Sequence, residues 1–108
     1  MMTRVLHKTV LKELRRELLG LFGNDLDSLI LYGSRARHDP RPDSDIDVLI
    51  VLNIPIDYAD LIHRTSEIIA RLSLQYDVVI SRAFVSKEQY DHWQTPFLIN
   101  VRREGVSI

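Results

Sequence analysis

Cysteine is absent from the 108 residues of this chain. Disulfides and thiolate zinc sites are thereby excluded, and a reducing compartment such as the cytoplasm suits the composition. Glycine and proline are scarce, four of each; nothing is low-complexity and nothing repeats at a fixed period. No sign of charge dominates either: the net charge is −1, so no overall basic field favours nucleic acid, and direct nucleic-acid binding is not expected. No apolar run approaches the ~18 residues of a membrane span, and the start, M-M-T-R-V-L-H-K, has no long apolar region, so neither a span nor a signal peptide is expected. What is present is an ordinary globular balance, 45% apolar and 27% charged residues, which argues against disorder. The length suits one small domain, expected to occupy residues 1–108.

The most informative stretch runs from Tyr32 to Leu52, Y-G-S-R-A-R-H-D-P-R-P-D-S-D-I-D-V-L-I-V-L. Its second half, S-D-I-D-V-L-I-V-L, has the β-branched and apolar content of a strand. Side chains alternate between faces along a strand, so Asp45 and Asp47 share one face, with Cα atoms roughly 6–7 Å apart. Ile46, Val48, Ile50 and Leu52 take the other face, while Leu49 and Val51 continue the aspartate face as an apolar surface. Two adjacent carboxylates repel, and each is costly to desolvate when ionised. Divalent cations relieve both problems. Mg²⁺ characteristically combines carboxylate with phosphate oxygens, and two ions about 4 Å apart can clamp the attacking and leaving oxygens of a phosphoryl displacement.

The first half points to anions. S-L-I-L-Y (Ser28 to Tyr32) reads as a buried strand. Gly33 has no Cβ and lets backbone approach a ligand closely. Ser34 offers a hydroxyl and an N–H at a turn or helix start, a place that suits phosphate. Arg35 and Arg37 bring guanidinium groups, which pair with phosphate through parallel donors. Arg41, His38, Asp39 and Asp43 read as a solvated, partly self-paired loop. A metal–nucleoside triphosphate satisfies both halves.

Gly33-Ser34, ten residues, then Asp45-Ile46-Asp47 resembles the G-S-x10-D-x-D signature of the DNA polymerase β-like nucleotidyltransferase superfamily. The G-S-R-A-R start, the S-D-I-D-V-L-I run and the small size resemble its minimal nucleotidyltransferases (MNT). That resemblance implies a polymerase β-like fold and an ATP-using, Mg²⁺-dependent transferase with two ions. It implies Gly33, Ser34, Arg35 and Arg37 for the nucleotide, and Asp45 and Asp47 for metal. It also implies a third carboxylate on a later strand. Asp77 fills that place in the sequence, as metal ligand and acceptor of the attacking hydroxyl's proton. The implied partner is a helical HEPN-type RNase toxin encoded nearby, with AMP transfer to one of its tyrosines making this chain the antitoxin. Two alternatives stay open: neutralisation of the partner by binding alone, and transfer to a small molecule of the antibiotic type.

The rest of the chain supplies a frame. From Thr3 to Phe22, Leu6, Val10, Leu14, Leu18 and Leu21 recur at helical spacing, with Lys8, Lys12, Arg15 and Arg16 opposite. Gly23-Asn24 reads as that helix's end. Asp57 caps a second helix with a stripe of Tyr58, Leu61, Ile62, Thr65, Ile69 and Leu72. Tyr76 to Ser81 reads as a third strand with Asp77 at its start. Ser86 to Gln89 reads as a capping box for a short helix, Thr95-Pro96 as the start of another, and Val106 to Ile108 as a short edge strand. The expected fold class is α/β: a small mixed β-sheet flanked by helices, with both ends of the motif meeting at one edge of that sheet beside a cleft.

Overall fold

The computed structural model describes residues 4–33 and 45–108. Helix α1 spans Arg4–Phe22. Val10, Leu14 and Leu18 fall every fourth residue along it and all are fully buried, while Lys8, Lys12, Arg15 and Arg16 face solvent. It ends in a 3-10 turn, Gly23–Asp25, entered through Gly23 at φ +56°. Helix α2 spans Tyr58–Tyr76, with the Asp57 carboxylate accepting from the Asp60 N–H at its start. Its buried residues are Leu61, Thr65, Ile69 and Leu72. These two stripes pack together on one face of the sheet.

Four strands form that sheet: β1 (Leu26–Tyr32), β2 (Ile46–Leu52), β3 (Ile80–Ser86) and β4 (Val106–Ser107), in the order β3-β2-β1-β4. The β1–β2 and β1–β4 pairs are antiparallel and the β2–β3 pair is parallel, so the sheet is mixed, as expected. A parallel neighbour requires a crossover, which α2 provides. Ile46, Val48, Ile50 and Leu52 point into the α1–α2 layer, and Leu49 and Val51 into a smaller core on the opposite face. The alternation read from the sequence is therefore the one observed.

The second face is covered by α3 (Lys87–His92) and α4 (Pro96–Glu104). A capping box between Ser86 and Gln89 starts α3, and Thr95 with Pro96 starts α4. Leu98 and Val101 of α4 join Ile30, Leu49 and Val51 there. Arg102 of α4 donates to the carbonyl of Trp93 at 2.8 Å, fixing the link between the two helices.

One element departs from expectation. The third strand begins at Ile80 and not at Tyr76. Tyr76 is the last residue of α2, and Asp77 caps that helix in the left-handed region, φ 53° and ψ 52°, its N–H donating to the carbonyl of Ser73. The run Y-D-V-V-I has strand composition, but the α2 stripe continues four residues beyond Leu72 to Tyr76, which packs against the core. Burial along the helix outweighs the local β-propensity. The motif's two halves also meet at one end of the central pair β1–β2, with β3 and β4 outside them.

Candidate active site

Among the described residues, strand β2 is the most enclosed element: six of its seven residues are buried, and the one that is not is Asp47. Asp47 is the second residue of the strand, on the face it shares with Leu49 and Val51, whose core Leu98 and Val101 of α4 complete. Asp45 stands one residue before the strand and is exposed. Burial first, and then the charge of Asp45, hold the Asp47 carboxyl above its ordinary value of 3.8. Among the described residues no basic side chain forms an ion pair with either.

Gly33 closes on the same point. Tyr32 is the register partner of Asp47, and Gly33 follows it with φ +75°. A Cβ at Gly33 would lie 2.6 Å from the Asp47 Oδ2. Only a glycine accepts both the left-handed backbone and that approach. The glycine end and the carboxylate end of the motif, distant by more than ten residues in sequence, therefore face each other across the β1–β2 ladder. Ser34, Arg35 and Arg37, and the loop residues His38, Asp39, Arg41 and Asp43, lie outside the described residues.

Two aromatic residues and one hydroxyl frame the pair without having been singled out in the sequence. Tyr32 shares the Asp47 face, and burial first, then the charges of Asp47 and Tyr58, raise its phenol above 10.0. Phe97, near the start of α4, meets the Tyr32 ring edge-on with centroids 5.3 Å apart. Ser81 is the parallel-ladder partner of Asp47 on β3. The alternation of β3 puts Ser81, Ala83 and Val85 on the Asp47 side and Ile80 and Phe84 on the other. Arg82, also on that other side, donates to Thr65 at 2.7 Å and to the Ile62 carbonyl at 3.0 Å. The position of Tyr32 immediately before Gly33 was a usable sign; Ser81 carried none.

Asp77 is not brought to the pair. It is exposed, lies on the cap of α2 outside the β2–β3 ladder, and does not contribute to the raised pKa of Asp47. Among the described residues no group of three His, Cys, Asp or Glu side chains stands close enough to hold a metal ion. Asp45, exposed, and Asp47, partly buried, could together hold a divalent cation if further oxygen ligands came from a bound phosphate. Among the described residues no helix is long and apolar enough to cross a membrane.

Comparison with known proteins follows the same lines. The nucleotidyltransferase domain family model matches residues 11–102. The chain is 31% identical over 99 residues to the "Putative protein adenylyltransferase MJ0141" of Methanocaldococcus jannaschii, covering 92% of this chain and 95% of that one. A toxin-antitoxin crystallised with AMP-PNP superposes with a TM-score of 0.59 at 19% identity, over 87% of this chain and 68% of that one. A Sulfolobus solfataricus protein solved as a "putative nucleotidyltransferase" gives a TM-score of 0.59 at 18% identity, over 98% and 87% of the two chains. At those identities the solved structures speak for the fold, a mixed four-stranded sheet with flanking helices.

Proposed function

This chain belongs to the nucleotidyltransferase domain family, and from that premise we propose that it transfers AMP from ATP to a hydroxyl of a partner protein and thereby acts as an antitoxin. The observation that carries the chemical half is the meeting of Gly33 with Asp47, 2.6 Å from a glycine Cβ position to a carboxylate oxygen. It supports a reading in which the phosphates approach the backbone at Gly33 beside a cation held at Asp47. The protein half is supported by the relative named for protein adenylylation and by the toxin-antitoxin fold neighbour that carries AMP-PNP.

In this reading Asp45 and Asp47 hold Mg²⁺, which when bound neutralises charge developing on the transferred phosphoryl group. Gly33 lets the triphosphate approach the backbone, with Ser34, Arg35 and Arg37 supplying a hydroxyl and two cations to its β and γ groups. The acceptor oxygen attacks the α-phosphorus in line. A P–O bond to the acceptor forms, the α–β bridging bond breaks, pyrophosphate departs with its electron pair, and the hydroxyl proton is released. Positioning and electrostatics provide most of the acceleration. The acceptor is a tyrosine of a helical HEPN-type RNase toxin, and the compartment is the cytoplasm.

The test is the intact mass of the helical protein encoded beside this chain after incubation with it and Mg-ATP, with Asp47→Asn as control. A gain of one or more AMP units, absent with the control, is the expected result. No gain despite a stable complex would replace transfer by neutralisation through binding. Neither gain nor complex would redirect the search to small-molecule acceptors.

A further inference from the structure

The inference drawn here rests on the reading of Asp45 and Asp47 as the cation-holding pair, and concerns what stands third beside them. We infer that no carboxylate of β3 completes the pair: Ser81 occupies that place, and Asp77 serves as the cap of α2 and not as a metal ligand.

The parallel ladder decides the matter. Its residue partners run from Ile46 and Ile80 through Asp47 and Ser81 to Leu52 and Ser86, and its first link is the Ile46 N–H donating to the Val79 carbonyl at 2.9 Å. Partners across a ladder share a face, with strands roughly 4.8 Å apart. Leu49 with Ala83 and Val51 with Val85 show this directly, since all four belong to the same core cluster. The side chain beside Asp47 on that face is therefore the Ser81 hydroxyl. Asp77 precedes the ladder's first link. Its backbone is committed to ending α2: its own N–H and that of Val78 both bond to the Ser73 carbonyl. Aspartate is one of the few residues that enters the left-handed region readily, which gives Asp77 a structural reason to be where it is.

Two carboxylates and a neutral hydroxyl make a weaker cation site than three carboxylates, because affinity for hard cations follows ligand charge. The remaining ligands must then come from the nucleotide's phosphates or from the partner protein. The acceptor's proton likewise leaves toward solvent or a partner group, and no acid on β3 receives it.

The absence of cysteine from the chain makes a direct test available. Ser81→Cys and Asp77→Cys each introduce a single thiol into the full chain. Titration with Cd²⁺ is followed by thiolate-to-cadmium absorption in the ultraviolet. The band is expected for Ser81→Cys, lost when Asp47→Asn is added, and absent for Asp77→Cys. In parallel, Mn²⁺ affinity is measured by paramagnetic resonance. Asp77→Asn, whose amide also accepts the left-handed cap, should leave it within about twofold of wild type, whereas Ser81→Asp should tighten it by about tenfold. A cadmium band at position 77 but not at 81, or a tenfold loss of Mn²⁺ affinity in a folded Asp77→Asn, would overturn the inference. Unchanged Mn²⁺ binding in Asp47→Asn would instead remove the premise that Asp45 and Asp47 form the cation site.

Discussion

Replacement of Gly33 by alanine tests the hinge of the site, because two separable terms act there. The first is backbone: at φ +75°, an L-residue costs roughly 1–2 kcal/mol in the left-handed region. The second is contact: the new methyl would stand 2.6 Å from the Asp47 Oδ2 and 3.5 Å from its Cγ. Those atoms end a short side chain, so relief comes from turning the carboxylate off its rotamer, at about 0.5–1.5 kcal/mol. Gly33→Ala should therefore destabilise by about 2–3 kcal/mol, lowering the melting temperature by about 10 °C for a domain of this size. The two terms separate in a double-mutant cycle. In an Asp47→Ala background the contact is gone, and Gly33→Ala should cost only the backbone term. Urea unfolding followed by circular dichroism gives all four free energies. A loss below about 0.5 kcal/mol for the single mutant would refute the backbone assignment. Equal losses in the two backgrounds would refute the apposition of Gly33 and Asp47, and with it the geometry on which the phosphate–cation reading depends.

Other outcomes follow from the same geometry. The Asp47 carboxyl has its pKa raised in the folded state by burial and by Asp45, so its contribution to stability is fully present below the unfolded value near 3.8 and is lost as pH rises through the folded one. Without divalent cations, Asp47→Asn should thus unfold at a higher temperature than wild type at neutral pH, and the advantage should vanish in acid. Adding Mg²⁺ should reverse the order, raising wild-type stability by about 1.4 kcal/mol at ten times its dissociation constant while leaving Asp47→Asn unmoved; scanning calorimetry across pH with and without Mg²⁺ reads both. Arg82→Met removes the bonds from β3 to Thr65 and to the Ile62 carbonyl of α2, and should shift the urea midpoint by an equivalent of about 1–3 kcal/mol without changing the slope. Leu14→Ala empties a fully buried position between α1 and the sheet and should cost about 2–5 kcal/mol in the same assay.

The features read correctly from the chain share one property: their causes are local. The fourth-residue recurrence of Val10, Leu14 and Leu18, the Ser86–Gln89 capping box, Thr95 before Pro96, and the opposite faces of Val48 and Leu49 each need only a handful of neighbouring residues. Asp47 belongs with them in part, since it shares its face with Leu49 and Val51 as the alternation requires, whereas Asp45 stands just before the strand. Gly33 was read as a position where backbone comes close to a ligand, and the structure shows a close approach to Asp47. What it approaches became specific only when the β1–β2 register placed Tyr32 against Asp47.

The third position of the site depends on something no local pattern encodes. Its residue comes from a strand that returns through the 19-residue helix α2, and its height along β2 is set by where that helix stops. Leu72 and Tyr76 extend the helical stripe, while Asp77, Val78 and Val79 have the composition of a strand. Both descriptions are sound for the residues that they cover, and the choice between them is made by packing. The error in reading Asp77 as a strand residue was also of a particular kind. Asp77 and Ser81 are four residues apart, an even number, so in an extended chain they would lie on the same face, about 13 Å apart along it. The alternation gives a face and leaves the height undetermined by whole periods of two, and Asp77, in the left-handed cap of α2, stands before the strand begins. For that reason a spacing motif around one strand sets two residues near each other from sequence alone, whereas a third group carried by another strand is known only once the ladder is known.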